Sequence, residues 1–170
     1  SHDDLDENKK AIALNAWKLL NGWKFVPGKL TDGQFSEEAF KKWIQFVRDK
    51  AESSGHLEVA LLHIGMVLVY GPPDEGGLWI NKTIASVLNE KDAEKIRDGF
   101  RQELYNSRGC HWVNPTGKEE IEIAEKYKKM AEDAENSGYY RFAQTLRGLA
   151  SSYERESMSV IEEHQRDIEE

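Results

Sequence analysis

Apolar residues recur along most of the chain with the 3.6-residue period of an α-helix. The connections between the periodic segments contain glycine, proline and Ser-Gly pairs, which are typical of turns. We therefore expect an all-α fold of six to seven antiparallel helices that ends in a long acidic helix. The predicted helices span residues 5–21, 36–53, 56–70, 81–88, 91–106, 117–136 and 139–167.

Residues 56–70 differ from the other segments because they are apolar on nearly every side of a helix. In a soluble protein such a helix is packed on most of its sides. We expect this segment to form the centre of the fold. Its β-branched residues leave a buried strand as the alternative, although fifteen residues are long for a strand.

Three of the predicted helices begin with a capping signal. Ser36 is a favourable N-cap residue, and Asn89 is the expected cap of the helix over residues 91–106. Thr116 and Glu119 have the spacing of a capping box. The next helix is therefore expected to begin directly after Thr116.

Two of the predicted helix pairs turn at Gly55 and Gly138, with small and apolar residues on both sides of each glycine. These residues are Ile44, Val47, Ala51, Leu57, Ala60, Ile64, Val67 and Pro72 in the first pair, and Tyr127, Met130, Ala131, Ala134, Tyr140, Ala143 and Ala150 in the second. Their spacing resembles the tetratricopeptide helix hairpin over about 70 residues, and the resemblance implies closely packed antiparallel helices. The two glycines lie 83 positions apart, which is no multiple of the roughly 34-residue repeat of that family. The alternative is that any close antiparallel helix pair needs small residues at these positions.

A second resemblance involves residues 100–112 (FRQELYNSRGCHW) and 146–156 (LRGLASSYERE). These segments are similar to the C-terminal helical part of large multidomain bacterial proteins, and they imply that the chain is one domain of such a protein. Residues 1–4 agree with this, because Ser1-His2 is typical of an affinity-tag remnant and a polar lead-in follows. We predict a single helical domain over residues 5–170, excised from a larger protein.

The net charge of −8 on 170 residues is concentrated near the end of the chain. Residues 154–170 contain seven acidic residues and two arginines. Such a helix would repel the phosphate backbone of a nucleic acid, so we expect none as a partner. The expected partner is a protein, either another domain of the parent chain or a basic peptide or protein surface.

Two further properties of the sequence concern the cellular environment. No stretch approaches the ~18 consecutive apolar residues of a membrane span, so we expect no membrane association. Cys110 is the one cysteine, which excludes an internal disulfide and indicates a reducing compartment such as the cytoplasm.

The loop over residues 106–112 is the best candidate site in the sequence. It places a guanidinium, a thiol, an imidazole and an indole between two helices, a mixture found at recognition surfaces. The alternative is that Gly109 ends a helix and that Trp112 packs into the core and so holds the loop in place. The candidate binding residues are Arg108, Cys110, His111, Trp112 and, in the apolar segment, His63.

We predict no catalytic residue, no metal site and no cofactor. Cys110 and His111 are neighbours in an extended loop, so their side chains point apart and do not form a ready-made nucleophile and base. His56 and His63 lie about 10.5 Å apart along a helix axis, too far to share one metal ion. Residues 71–77 are glycine-rich but lack the lysine of a phosphate-binding loop. His63 is expected to be a core histidine bonded to a carbonyl.

Together these features predict a helical protein–protein interaction or scaffolding domain of a larger bacterial protein, and not an enzyme. The alternative is a small-ligand-binding or enzymatic domain that uses the 106–112 loop with His63. The two hypotheses differ in whether Arg108, Cys110, His111 and His63 converge on one pocket.

Overall fold

A computed structural model of the chain describes residues 10, 14–15, 18–20, 22–30, 34–109 and 116–169. The predicted all-α fold is confirmed for these residues, where the β structure is limited to an isolated bridge between Lys29 and Phe35. Parts of the helix predicted over residues 5–21 are helical, and the rest lies outside the described residues. The helices with defined bounds are α1 (Glu37–Ser53), α2 (Leu57–Leu68), α3 (Lys82–Asn89), α4 (Glu94–Asn106), α5 (Lys118–Asn136) and α6 (Tyr140–Glu169).

Helices α1 and α2 form one hairpin, and α5 and α6 form another. The hairpins turn at Gly55 and Gly138, whose φ angles of 73° and 87° lie in the left-handed region that favours glycine. In each turn the residue after the glycine donates its N–H to a carbonyl five residues back, as in a Schellman motif. These bonds run from His56 to Ala51 (2.8 Å) and from Tyr139 to Ala134 (2.9 Å).

An aromatic cluster joins α4 and α6 in the core. The rings of Phe100 and Phe142 meet edge to face at 5.4 Å, and Trp79 lies about 6 Å from both rings. The buried side of α6 continues from Phe142 through Leu146, Leu149 and Tyr153, at steps of four, three and four residues that place them on one side of the helix. None of the helices in the described part of the chain is both long and apolar enough to cross a membrane.

Helices α2 and α4 approach each other more closely than side chains would allow. A Cβ at Gly65 of α2 would overlap the carbonyl oxygen of Ile96, and a Cβ at Gly99 of α4 would overlap that of Leu62. Each glycine therefore admits the backbone of the opposite helix. This crossing ties the first hairpin to the rest of the fold.

The prediction that Asn89 caps the helix over residues 91–106 is wrong. That helix, α4, begins at Glu94, and Asn89 is the last residue of α3. The Asn89 side-chain oxygen instead accepts the backbone N–H groups of Arg141 (2.8 Å) and Phe142 (3.4 Å). Asn89 thus caps a helix distant in sequence, because α3 packs at the start of α6.

The start of α5 also differs from the capping box predicted at Thr116 and Glu119. Gly117 occupies the N-cap position with a φ angle of 62° and makes no side-chain cap. The buried hydroxyl of Ser157 donates to the Gly117 carbonyl at 2.9 Å. A Cβ at residue 117 would collide with Ser157, so packing against α6 decides how this helix begins.

The expectation that residues 56–70 are packed on most sides is only partly correct. The buried side of α2 consists of Ile64, Gly65, Val67 and Leu68. Val59, on another side of the helix, is 57% exposed. In the described residues α2 is thus packed against α1 and α4 while part of its surface remains open.

Candidate functional site

A groove of about 570 Å³ lies between α1 and α2. The side chains along both helices recur at spacings of three and four residues, so they line one continuous apolar surface. We call this surface the apolar groove. Its lining residues are Trp43, Phe46 and Val47 from α1, His56, Val59, Ala60, His63, Ile64 and Val67 from the start and body of α2, and Leu20 and Trp23.

The apolar groove is open to solvent. Phe46 is 59% exposed, and Leu20 and Trp23 are each 40% exposed. Phe46 lies on the same side of α1 as Trp43 and Val47, which are partly buried against the core, yet more than half of its side chain is exposed. Contiguous apolar patches of a few hundred Å² often mark interaction sites.

His56 and His63 are the titratable side chains among the described residues that line the groove. His63 is half-buried in its wall, and this burial lowers the pKa of its imidazole below the usual value of 6.5. The neutral form is therefore favoured near pH 7. A neutral imidazole leaves the groove without a buried charge.

Acidification should destabilise the domain through His63. The unfolded chain takes up a proton near pH 6.5, whereas folded His63 resists it, so the free energy of unfolding falls as the pH drops through this range. The decrease ends below the folded pKa of His63. Urea unfolding at a series of pH values between about 8 and 5 measures the effect, which begins near the reference pKa of 6.5 and continues below it.

In His63→Gln, the fall in the free energy of unfolding that is due to His63 should disappear. His56→Gln is the matched control, and this variant should retain that fall. An equal slope of stability with pH in the wild type and in His63→Gln would contradict the assignment to His63.

A second cluster of charges surrounds Arg108, just after the end of α4. The Arg108 guanidinium donates to Glu120 at 2.6 Å and lies 3.7 Å from Glu156 and 3.9 Å from Glu119. It also lies 5.4 Å from the ring centroid of Tyr153. Glu120 is fully buried and Arg108 is only 14% exposed. The cluster therefore joins α4, α5 and α6 through a buried ion pair.

Tyrosines extend this cluster into the core. Tyr127 and Tyr153 stack at 5.9 Å, and Tyr105 lies 5.4 Å from Tyr153. Burial raises the pKa of the Tyr153 hydroxyl from 10 to about 12. The stacked rings of Tyr127 and Tyr153 connect α5 with α6.

Sequence reasoning missed the burial of Glu120. A signal was present, because Glu120 is in register with Ala124, Tyr127, Ala131 and Ala134, which form the buried side of α5. A charged residue in such a seam requires a partner of opposite charge. Arg108 lies twelve residues before Glu120, on the other side of a loop. The sequence pattern therefore does not show that these two side chains form a pair.

The structure places the two described candidate residues in different surroundings. His63 lines the apolar groove, whereas Arg108 contacts Glu120, Glu156 and Tyr153. Cys110, His111 and Trp112 lie outside the described residues, and a binding role for the 106–112 loop stays a prediction. Within the described ranges, no group of three or more His, Cys, Asp or Glu residues is arranged to hold a metal ion.

No protein-family model matches the chain, and no curated protein or solved structure is significantly similar to it. Its function must therefore be inferred from its own residues and geometry.

Proposed function

We propose that this is a protein–protein interaction domain that binds the apolar face of an amphipathic helix in the apolar groove. The supporting observation is the open apolar surface between α1 and α2, where Phe46 and Val59 are more than half exposed. Binding of a partner helix would remove these side chains from water. Apolar burial of this kind is the main favourable contribution to association.

The shape of the groove favours a helix as the bound element. Residues His56 to Val67 extend about 16 Å along the axis of α2, which corresponds to three helical turns. The neighbouring ridges of α1 and α2 leave a depression into which the side chains of a third helix fit. Recognition of an amphipathic helix in such a groove uses anchors at positions i, i+3, i+4 and i+7.

The size of the groove argues against a second copy of the chain as the occupant. A stable dimer buries about 800 Å² and roughly 20–30 residues on each partner, whereas eleven described residues line the groove. A short helix needs less area because a few central anchors contribute most of the binding energy.

The charges in and beside the apolar groove indicate what kind of helix would bind there. The described lining includes no carboxylate, and the Lys50 ammonium lies 5.9 Å from the centre of the Phe46 ring. Acidic residues beside the apolar anchors of a bound helix would pair with Lys50.

The outer end of α6 is suited to a basic surface, in contrast to the acidic helix proposed for the apolar groove. Its residues beyond Ser157 extend past the start of α5, and Glu162 and Glu163 are exposed there. These carboxylates would attract a basic surface of the partner or of a neighbouring domain, as the sequence predicts. A cytoplasmic location and membership of a larger bacterial protein remain part of this proposal.

A designed peptide can test binding in the apolar groove. The probe is an 18-residue peptide with leucine at i, i+3, i+4 and i+7 spacing and with glutamate and alanine elsewhere, and its control is a scrambled peptide of equal composition. Calorimetric titration should show saturable binding of the amphipathic peptide alone. Phe46→Glu should weaken binding by at least about thirtyfold, the ~2 kcal/mol of an interface hot spot.

Tyr140→Glu is the matched control, because Tyr140 is 62% exposed outside the groove and begins α6, where an acidic residue is well tolerated. This variant should bind as the wild type does. Equal binding by Phe46→Glu and the wild type would overturn the proposal. A concentration-dependent dimer that Phe46→Glu abolishes would also overturn it, since the groove would then belong to a second copy.

A further inference from the structure

A polar groove runs between α4 and α6 and shares no residue with the apolar groove. It consists of two adjoining cavities of about 380 and 530 Å³, which meet at Asp98 and Arg101. The first cavity has four basic side chains against two acidic ones, a positive site in a chain of net charge −8. The basic residues are Lys91, Arg97, Arg101 and Arg141, and the acidic residues are Glu94 and Asp98.

The arginines of this polar groove differ in how the fold holds them. Arg97 donates to the carbonyls of Leu88 (2.9 Å) and Glu90 (2.7 Å) and so fixes the end of α3. Arg141 has a long contact of 3.5 Å to the Asn89 carbonyl, and the Arg101 guanidinium lies 3.8 Å from Asp98. Arg101 and Arg141 therefore keep donor capacity for an anion.

The positive charges of the polar groove also lie near one another. Burial lowers the pKa of the Arg97 guanidinium. The charges of Glu94, Asp98 and Asp92 raise it, and the charge of Arg141 lowers it. Carboxylates already offset part of the positive charge at Arg97, so an added anion would pair with Arg101 and Arg141.

Gly148 leaves open space on the α6 side of the polar groove. It lies inside α6 and lines the polar groove, yet a Cβ at this position would meet no atom within 4 Å. The close crossing of α2 and α4 explains the other glycines inside helices, Gly65 and Gly99. Glycine is unfavourable in a helix interior, and packing within the described fold does not require it here. A partner backbone that passes close to α6 would require it.

The walls of the polar groove suit a peptide chain. Gln102 and Asn106 on α4 and Gln144 on α6 offer amide donors and acceptors, which can pair with the N–H and C=O groups of an extended peptide. The groove follows α4 for about 18 Å, from Glu94 to Asn106. This length holds five or six extended residues at about 3.3 Å each.

We propose that the polar groove binds an acidic peptide segment in extended conformation, with its carboxylates on Arg101 and Arg141 and its backbone over Gly148. A peptide fits better than a nucleic acid, because the acidic end of the chain repels a continuous phosphate backbone. This second site does not depend on the apolar groove, so each can fail without the other.

Fluorescence anisotropy with defined probes tests the proposal. The probes are a pool of labelled hexapeptides with two fixed aspartates, the same pool with asparagine in their place, and a labelled hexathymidylate. The aspartate pool alone should bind saturably. Arg141→Gln should weaken this binding about tenfold, as expected for a lost charge-assisted hydrogen bond. Arg166→Gln makes the same change on the exposed outer part of α6 and should leave binding unchanged.

Gly148→Ala separates binding from stability. Alanine should raise the midpoint of thermal unfolding by about 3 °C and still weaken peptide binding about tenfold, because its Cβ occupies the path of the peptide backbone. No saturable binding of the aspartate pool, or unchanged affinity in Gly148→Ala, would overturn the proposal. Equal binding of the hexathymidylate, or equal loss in Arg166→Gln, would overturn it as well, since either shows recognition by charge alone.

Discussion

Replacing Gly65 with alanine is expected to destabilise the domain by roughly 3 kcal/mol or more. The new Cβ would overlap the carbonyl oxygen of Ile96, which is backbone and cannot rotate away as a side chain can. Helices α2 and α4 would have to separate, and the buried contacts of Ile64, Val67 and Phe100 would loosen with them. Gly99→Ala should have a comparable effect through the Leu62 carbonyl.

Urea unfolding followed by circular dichroism measures this difference in the free energy of unfolding. Gly148→Ala is the matched control, since its Cβ meets open space and should raise stability by up to about 1 kcal/mol. A neutral Gly65→Ala would mean that α2 and α4 do not cross at these glycines.

Replacing Arg108 with leucine should destabilise the domain by about 3–5 kcal/mol. The substitution removes the guanidinium 2.6 Å from Glu120, a carboxylate with no exposed surface. The charge of Glu120 would then lose its strongest described compensation while remaining buried. The substitution would also remove the cation–π contact between Arg108 and the Tyr153 ring, which stabilises the packing where α4, α5 and α6 meet.

The double variant Arg108→Leu/Glu120→Leu should recover most of the lost stability, because apolar residues of suitable size often replace a buried ion pair without loss. Thermal unfolding of the two single variants and the double variant measures the coupling. Arg155→Leu, on the exposed side of α6, is the control and should change stability by less than about 0.5 kcal/mol. A double variant as unstable as Arg108→Leu would show that the ion pair is not the cause.

The helical fold was predictable because each helix buries one side, and this leaves a 3.6-residue period in the sequence. The turns at Gly55 and Gly138 were predictable for a local reason, since the chain must adopt a positive φ angle there. The caps at Asn89 and Gly117 were not, because the contacts that determine them come from α6, 52 and 40 residues away. Tertiary packing thus overrides a local capping signal.

The apolar groove was less predictable than the helices that form it. Periodicity identifies Phe46 and Val59 as apolar positions but does not show whether another element covers them. The same applies to His63, which the sequence assigns to a core and the structure places in the wall of an open groove. Exposure of an apolar side chain depends on the arrangement of whole helices.

The polar groove was also difficult to predict from the sequence, because it too depends on how whole helices are arranged. Arg101 in α4 and Arg141 in α6 are 40 positions apart in the sequence. From the sequence alone, each is a polar residue on the exposed side of its own helix. The glycine inside α6 was a visible signal, but its meaning required the structure, which shows that packing within the described fold does not need Gly148.

The most direct test of the central claim is hydrogen–deuterium exchange of the domain with and without the amphipathic 18-residue peptide. Binding in the apolar groove should slow amide exchange in α1 and α2, around Phe46 and Val59, and leave α5 and the outer part of α6 unchanged. Protection confined to α5 and α6, or no change in α1 and α2 at saturating peptide, would contradict the claim.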